Sequence, residues 1–195
     1  MAPQIAVLIP CYNEATTIAA TIAGFRHALP DAAIYVYDNN SGDATSLTAA
    51  SAGAIVRHEP LRGKGNVVRR MFSDVEADIY VLTDGDATYD ANTAPAMISL
   101  LERDHLDMVN GVRITDSKDA YRTGHRFGNV LLTGLVASLF GNRFQDMLSG
   151  YKVFSRRFVK SFPALSAGFE IETELTVHAL ELRMPVAEID RKSVV

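Results

Sequence analysis

The sequence predicts an α/β fold: one domain with a mostly parallel, mixed sheet flanked by helices. Three observations predict it. Short apolar runs at 5–9, 34–37, 54–57, 79–83 and 108–112 have the length of buried strands. Stretches with helical spacing separate them, which is the alternation of a parallel sheet and its crossover helices. Right-handed crossovers then set the carboxyl ends of these strands along one edge, where α/β proteins gather their ligands.

Composition agrees with one globular domain. The chain has 195 residues, 48% hydrophobic and 22% charged, enough apolar matter for a sizeable core and too much for disorder. A formal net charge of −4 gives no reason to expect nucleic acid. The single cysteine, Cys11, excludes an internal disulfide and fits a reducing compartment. No basic segment leads into a long apolar one at the start, so no signal peptide is expected.

The first strand, 5–9, ends at Pro10, and Cys11-Tyr12-Asn13-Glu14 follows as a loop. Ile18, Ile22 and Phe25 then fall on one helical stripe. Asn13 is either the cap of that helix or a ligand contact, and Tyr12 can offer a ring face to a base. The second strand, 34–37, runs into Asp38-Asn39-Asn40-Ser41-Gly42-Asp43-Ala44-Thr45, a loop by composition, with Asp43 as a helix start. Asp38 at a strand end is a turn-forming residue or an acceptor for a base or ribose. After the third strand, Arg62-Gly63-Lys64-Gly65 precedes a helix through Val67, Val68, Met71 and Phe72. Free amides at that helix start, with the lysine, suit an anion.

The fourth strand stops at Asp84-Gly85-Asp86. Two carboxylates that close repel each other unless a cation lies between them. A hard divalent ion, Mg²⁺ or Mn²⁺, resolves the conflict and is usually shared with substrate phosphates. Asp84, Asp86 and Thr88 also spell the nucleophile motif of haloacid-dehalogenase-type phosphatases. Three strands precede the motif here and no adjacent acidic pair follows it, so that reading fails. A nicotinamide-type domain fails too, because no Gly-x-Gly-x-x-Gly follows the first strand. Pro95 suits the first turn of the next helix. Tyr12, Asp38, Lys64, Asp84, Asp86 and Arg113 should converge at the strand ends. Beyond Arg113, the cations Lys118, Arg122, His125, Arg126 and Arg143 flank an apolar helix around 130–140. It is either a core helix or one lying along a membrane surface. A strand at 151–154, a helix at 170–182 and a strand at 185–189 complete the reading. Glu170, Glu172 and Glu174 favour that helix's dipole whatever the function.

With these residues in hand, the chain resembles family 2 glycosyltransferases of the GT-A fold, a Rossmann-like domain. The motifs that carry the resemblance are 7–14, 38–45, Arg62-Gly63-Lys64-Gly65, Asp84-Gly85-Asp86, 146–151 and 168–172. Within the family it is most similar to dolichyl- or polyprenyl-phosphate sugar synthases, which move a hexose from a nucleotide sugar to a lipid phosphate. The resemblance implies that Pro10, Tyr12, Asn13, Glu14 and Asp38 hold the nucleoside of a UDP or GDP sugar, with Asn40 a further substrate-binding residue. Lys64 would lie near the base or diphosphate, Asp84 and Gly85 against ribose or metal, and Asp86 on the metal. Arg113 and Arg126 would meet the donor diphosphate or the acceptor phosphate, and Asp146 and Ser149 would line the acceptor side. Thr88 stands where these synthases often carry Gln as a further metal ligand.

The implied reaction is a metal-dependent, inverting hexosyl transfer to a polyprenyl phosphate, with Asp86, Arg113 and Asp146 as the catalytic set. The alternatives are transfer to a saccharide hydroxyl with Asp146 as base, or a nucleotide-sugar-binding domain that transfers nothing. Residues 1–113 read as the donor half and 114–195 as the acceptor half of one domain, cut short at its C-terminus. The expected place is peripheral, on the cytoplasmic face of a membrane.

Overall fold

The computed structural model of the chain describes residues 2–111 and 149–189. Arg113, Arg126, Asp146 and the helix expected around 130–140 lie outside them. The described elements are β1 (Ile5–Cys11), α1 (Ile18–Ala28), β2 (Ala33–Asp38), α2 (Thr45–Ser51), β3 (Ile55–His58), α3 (Lys64–Asp74) and β4 (Ile79–Leu82). They continue with α4 (Ala94–Arg103), β5 (Met108–Gly111), β6 (Lys152–Ser155), α5 (Arg156–Ser161), α6 (Ile171–Glu181) and β7 (Val186–Ile189).

The strands form one seven-stranded sheet in the order β3-β2-β1-β4-β6-β5-β7. Pairs β1–β2, β1–β4, β2–β3 and β5–β7 are parallel. Strand β6 is antiparallel to both β4 and β5, with Leu82 opposite Lys152. The mixed, mostly parallel sheet is the one the sequence predicts. What a short apolar run does not encode is its direction, so the reversal of β6 comes from the structure alone. That reversal matters for the site. It makes the chain enter β6 from the edge where β4 ends, which brings Gly150 beside Asp84.

The period-two alternation of β1 divides the core. Ala6 and Leu8 pack with Val68, Met71 and Phe72 of α3, with Phe154 and Phe158, and with Ile171 and Leu175 of α6. Val7 and Ile9 face the other way, onto Ile18, Ile22 and Phe25 of α1 and Met97, Ile98 and Leu101 of α4. The helical stripe read from Ile18, Ile22 and Phe25 is thus the buried face of α1. Helices on both faces leave the strand ends as the open edge of the sheet.

Local details correct several expectations. Asn13 does not cap α1, which has no side-chain cap. Its own φ is 57°, and its Oδ1 accepts from Gly42 N at 2.8 Å, tying two loops together. Asp43 lies one residue before the N-cap of α2, which is Ala44 and carries no side-chain cap, although Asp43 Oδ1 accepts from Thr45 N at 3.0 Å. Pro95 lies in the first turn of α4. Helix α5 was absent from the sequence reading. It has only six residues, and its visible signal is Ser155, whose hydroxyl accepts from Phe158 N at 3.1 Å. Among the described residues no helix is long and apolar enough to cross a membrane.

Candidate functional site

The carboxyl ends of β1 and β4, the start of α3 and the start of α6 enclose a cavity of about 820 Å³. Pro10, Tyr12 and Glu14 line it from β1, and Asp84, Gly85 and Asp86 from β4. Lys64 lies at the first position of α3, and Phe169, Glu170 and Glu172 come from the start of α6. Tyr12 is 54% and Phe169 75% exposed, so two aromatic rings stand open at the cavity. An exposed ring in a cleft is a surface on which a flat or apolar ligand can rest.

The Asp-Gly-Asp loop is held from beneath and open above. Gly85 O accepts from Thr21 Oγ1 at 3.2 Å. A Cβ on Gly85 would lie 2.8 Å from Cys11 Sγ, so only glycine lets the loop sit this close to β1. Asp86 is exposed, with Oδ1 accepting from Thr88 N at 3.0 Å. Asp84 is half-buried, and a Cβ on Gly150 would lie 2.3 Å from its Oδ2. The negative charge is felt nearby. Partial burial, then Asp86 and Asp84, push the Glu14 carboxyl above the usual range, although Thr17 Oγ1 donates to it at 3.1 Å. Burial, followed by Glu14 and the other acids, pushes the Cys11 thiol well up and favours its neutral form.

The Gly-Lys-Gly loop differs from its sequence reading. Three of its amides are already bonded to the protein. Gly63 N donates to Asn39 Oδ1 at 2.8 Å, Gly65 N to Gly168 O at 3.1 Å and Asn66 N to Ala167 O at 3.3 Å. Cβ atoms on Gly63 and Gly65 would lie 2.2 Å from Ala167 O and 2.1 Å from Ser166 O. The glycines are there for close backbone packing. Lys64 is also committed: its Nζ lies 2.5 Å from Asp84 Oδ1 and 2.6 Å from Glu172 Oε1. Burial opposes its charge, but the two carboxylates outweigh that, and its pKa lies above the ordinary lysine value. Sequence reasoning gives Glu172 no site role beyond the helix dipole, although it falls within the 168–172 motif. Its partner Lys64 is 108 positions away, beyond any local pattern.

The remaining candidates divide. Asp38 does not line the cavity, but it pairs in register with Cys11, which does. Its Oδ1 is buried without a hydrogen-bond partner among the described residues, and its Oδ2 lies 3.7 Å from His58 Nδ1. Asn40, at φ 64°, donates to Glu59 O and Pro60 O at 3.2 and 3.0 Å, so it fastens one loop to another. Ser149 is fully buried, donates to Gly111 O at 2.5 Å and accepts from Tyr151 N at 3.2 Å. It supports β5 and β6 and is not on the cavity wall.

The donor set fits a hard divalent cation. Among the described residues no group of three or more His, Cys, Asp or Glu side chains is arranged as a metal cage. Mg²⁺ does not need one, since one or two carboxylates completed by substrate phosphates are its common setting. Asp84 and Asp86 supply that pair at the cavity wall.

An open α/β sheet with paired acids after its fourth strand and a cavity beyond its strand ends defines a ligand-binding domain of the α/β class. Residues 6–162 match Glycosyl transferase family 2, and the chain belongs to that family. Protein RfbJ of Shigella flexneri is 58% identical over 124 residues, which cover 63% of this chain and 96% of RfbJ. Glycosyltransferase AglJ of Haloferax volcanii is 37% identical over 175 residues, 89% of this chain and 57% of AglJ. The chain therefore spans little more than half the length of that relative. Glucosyl-3-phosphoglycerate synthase of Mycobacterium tuberculosis, solved with Mn²⁺, UDP-glucose and phosphoglyceric acid, matches with a TM-score of 0.79 at 26% identity. The match covers 97% of this chain and 70% of that one. The fold is GT-A.

Proposed function

We propose that this chain transfers a hexose from a uridine-diphosphate sugar to a polyprenyl phosphate, inverting the sugar carbon. The observation that carries the reading is the cavity beyond β1 and β4, with Asp84 and Asp86 on its wall and two open aromatic rings, Tyr12 and Phe169. The synthase solved with Mn²⁺ and UDP-glucose supports the donor and a divalent cofactor, Mg²⁺ or Mn²⁺. Asp86 and Asp84 would hold that ion, and its chemistry there is to neutralise charge on the departing diphosphate. Pro10, Tyr12 and Glu14 bind the nucleoside, while Asp38, off the cavity wall, would reach the base or ribose only once its buried Oδ1 is uncovered. Arg113 and Arg126 answer the phosphates.

The acceptor reading rests on the resemblance to lipid-phosphate sugar synthases and on the cations between 113 and 143. A phosphate monoester has its second pKa near about 6, so its oxygen is already ionised and needs no general base. The protein would work peripherally, at the cytoplasmic face of a membrane, as one domain with a donor half (1–113) and an acceptor half (114–195). A second reading, transfer to a hydroxyl with Asp146 as base, is favoured by the likeness to a synthase solved with phosphoglyceric acid.

The test is a transfer assay with radiolabelled UDP-hexoses and three acceptors: a short polyprenyl phosphate, the matching polyprenol, and a saccharide. Label on the polyprenyl phosphate alone supports the proposal. Label on the saccharide alone sinks it in favour of the second reading, and Asp146→Asn should then abolish transfer. Co-sedimentation with anionic liposomes at low salt tests the peripheral placement, and no sedimentation would remove it.

A further inference from the structure

One oxygen of Asp84 is taken before any ligand arrives. Lys64 Nζ reaches Asp84 Oδ1 at 2.5 Å and Glu172 Oε1 at 2.6 Å, and only 8% of the lysine side chain is exposed. The ammonium thus sits between two carboxylates from different elements, the end of β4 and the first turn of α6. It is fixed there by the main chain. Lys64 opens α3 between two glycines that pack directly on the carbonyls of Ser166 and Ala167. Gly65 N and Asn66 N donate to Gly168 O and Ala167 O at 3.1 and 3.3 Å and hold the loop on that segment.

A cation approaching Asp84 meets a cation already in contact with it. Like charges at such separations repel strongly where water is excluded. We propose that Lys64 is a built-in counter-ion that holds Asp84 against free divalent metal until a nucleoside diphosphate brings the metal in. This inference rests on the metal assignment to Asp84 and Asp86 made above. A lone ion offers nothing in exchange for the Lys64–Asp84 contact. An ion carried with a diphosphate brings further oxygen ligands, and the exchange becomes favourable. Glu172 makes the exchange reversible. When Asp84 turns to the metal, Lys64 keeps its second ionic hydrogen bond and stays buried and paired. Metal and nucleotide then strengthen each other's binding by more than their own coordination supplies.

The experiment is a titration of the full chain with Mn²⁺ alone, read by the loss of the free-ion paramagnetic signal, in wild type and Lys64→Met. The expected result is free-Mn²⁺ binding at least about fivefold tighter in Lys64→Met, the lower end of ordinary site–site coupling. Mn²⁺ should also raise the thermal midpoint of Lys64→Met more than that of wild type. Should Lys64→Met fail to fold, Glu172→Gln serves in its place. It leaves the ammonium to Asp84 alone, and free Mn²⁺ should bind more weakly than in wild type. Equal or weaker Mn²⁺ binding by Lys64→Met, or tighter binding by Glu172→Gln, overturns the inference. A repeat with saturating UDP separates the two levels. If UDP brings Mn²⁺ onto wild type while the variants behave otherwise than expected, only the counter-ion role falls. If UDP brings no Mn²⁺ onto wild type, the metal assignment falls and this inference with it.

Discussion

Two loops at one edge of the sheet carry the charged motifs of this chain, and they are built in opposite ways. In the Gly63-Lys64-Gly65 loop, the amides of both glycines donate to protein acceptors and the ammonium is shared by two carboxylates. Around Asp84, Gly85 and Asp86, the protein packs tightly under the glycine and leaves Asp86 exposed. The first loop is a fastener and the second an opening. Residue type does not separate them, since both alternate glycine with charge. The difference is whether the rest of the chain already fills the valences. Asp86 is open to a ligand at once, whereas Asp84 must first give up its contact with Lys64.

Substitutions in the two loops should therefore fail in different ways. The largest effect is expected from Asp86→Ala, which should cost transfer on the order of 10²–10³-fold, as for other charge-stabilising groups. Its stability in urea should stay within about 0.5 kcal/mol, because the side chain is exposed. Equal loss of stability and activity would make Asp86 a structural residue and break the comparison.

Gly150→Ala comes next. Its Cβ would press on Asp84 Oδ2, 2.3 Å away, and push the carboxylate out of place. Metal affinity in the presence of UDP should fall about 10–100-fold, the range for displaced supports of metal ligands. Unchanged affinity in a calorimetric titration would mean that Asp84 is not a ligand.

Gly65→Ala should act on folding. A Cβ 2.1 Å from Ser166 O forces the start of α3 away from the 166–168 segment. The expected cost is about 1–3 kcal/mol in chemical denaturation, as for other overpacked sites. A cost below about 0.5 kcal/mol, within the surface range, would mean the fastener is slack.

The smallest effect concerns Glu174, which accepts from Leu165 N and Ser166 N at 2.8 Å and so ties down the segment that the glycine loop packs on. Partial burial opposes its charge, but Ser166 and Leu165 outweigh that and hold its carboxyl below the usual value of 4.5. A depressed folded-state pKa adds stability above the unfolded value, and that stability is lost as pH falls through the folded one. Wild type should therefore be more stable than Glu174→Gln at neutral pH, with the gap closing on acidification below pH 4.5. A gap that stays constant with pH would show that the charge of Glu174 is not what ties the segment.

The same contrast explains what could be read from the sequence. Strands and stripes were legible because burial imposes a period: the core run of β4 and the stripe Ile18, Ile22, Phe25 are local patterns. The paired acids were legible because they abut a strand end. The direction of β6 was not, since an apolar run reads the same either way. Nor was the fate of Lys64, because its partner Glu172 lies on α6, far along the chain. Asn13 and Asn40 illustrate a further limit. Side chains that favour left-handed backbone and loop contacts look the same in sequence whether they bind a ligand or a neighbouring loop. Here they bind Gly42 N, Glu59 O and Pro60 O.

The central claim is that the opening after β4 binds a nucleoside diphosphate through a divalent ion. It is tested most directly by titration calorimetry of the chain with UDP, in Mn²⁺ and in EDTA, for wild type and Asp86→Ala. The account predicts binding by wild type in Mn²⁺, none in EDTA, and none by Asp86→Ala in either. UDP binding that survives both EDTA and Asp86→Ala would contradict it.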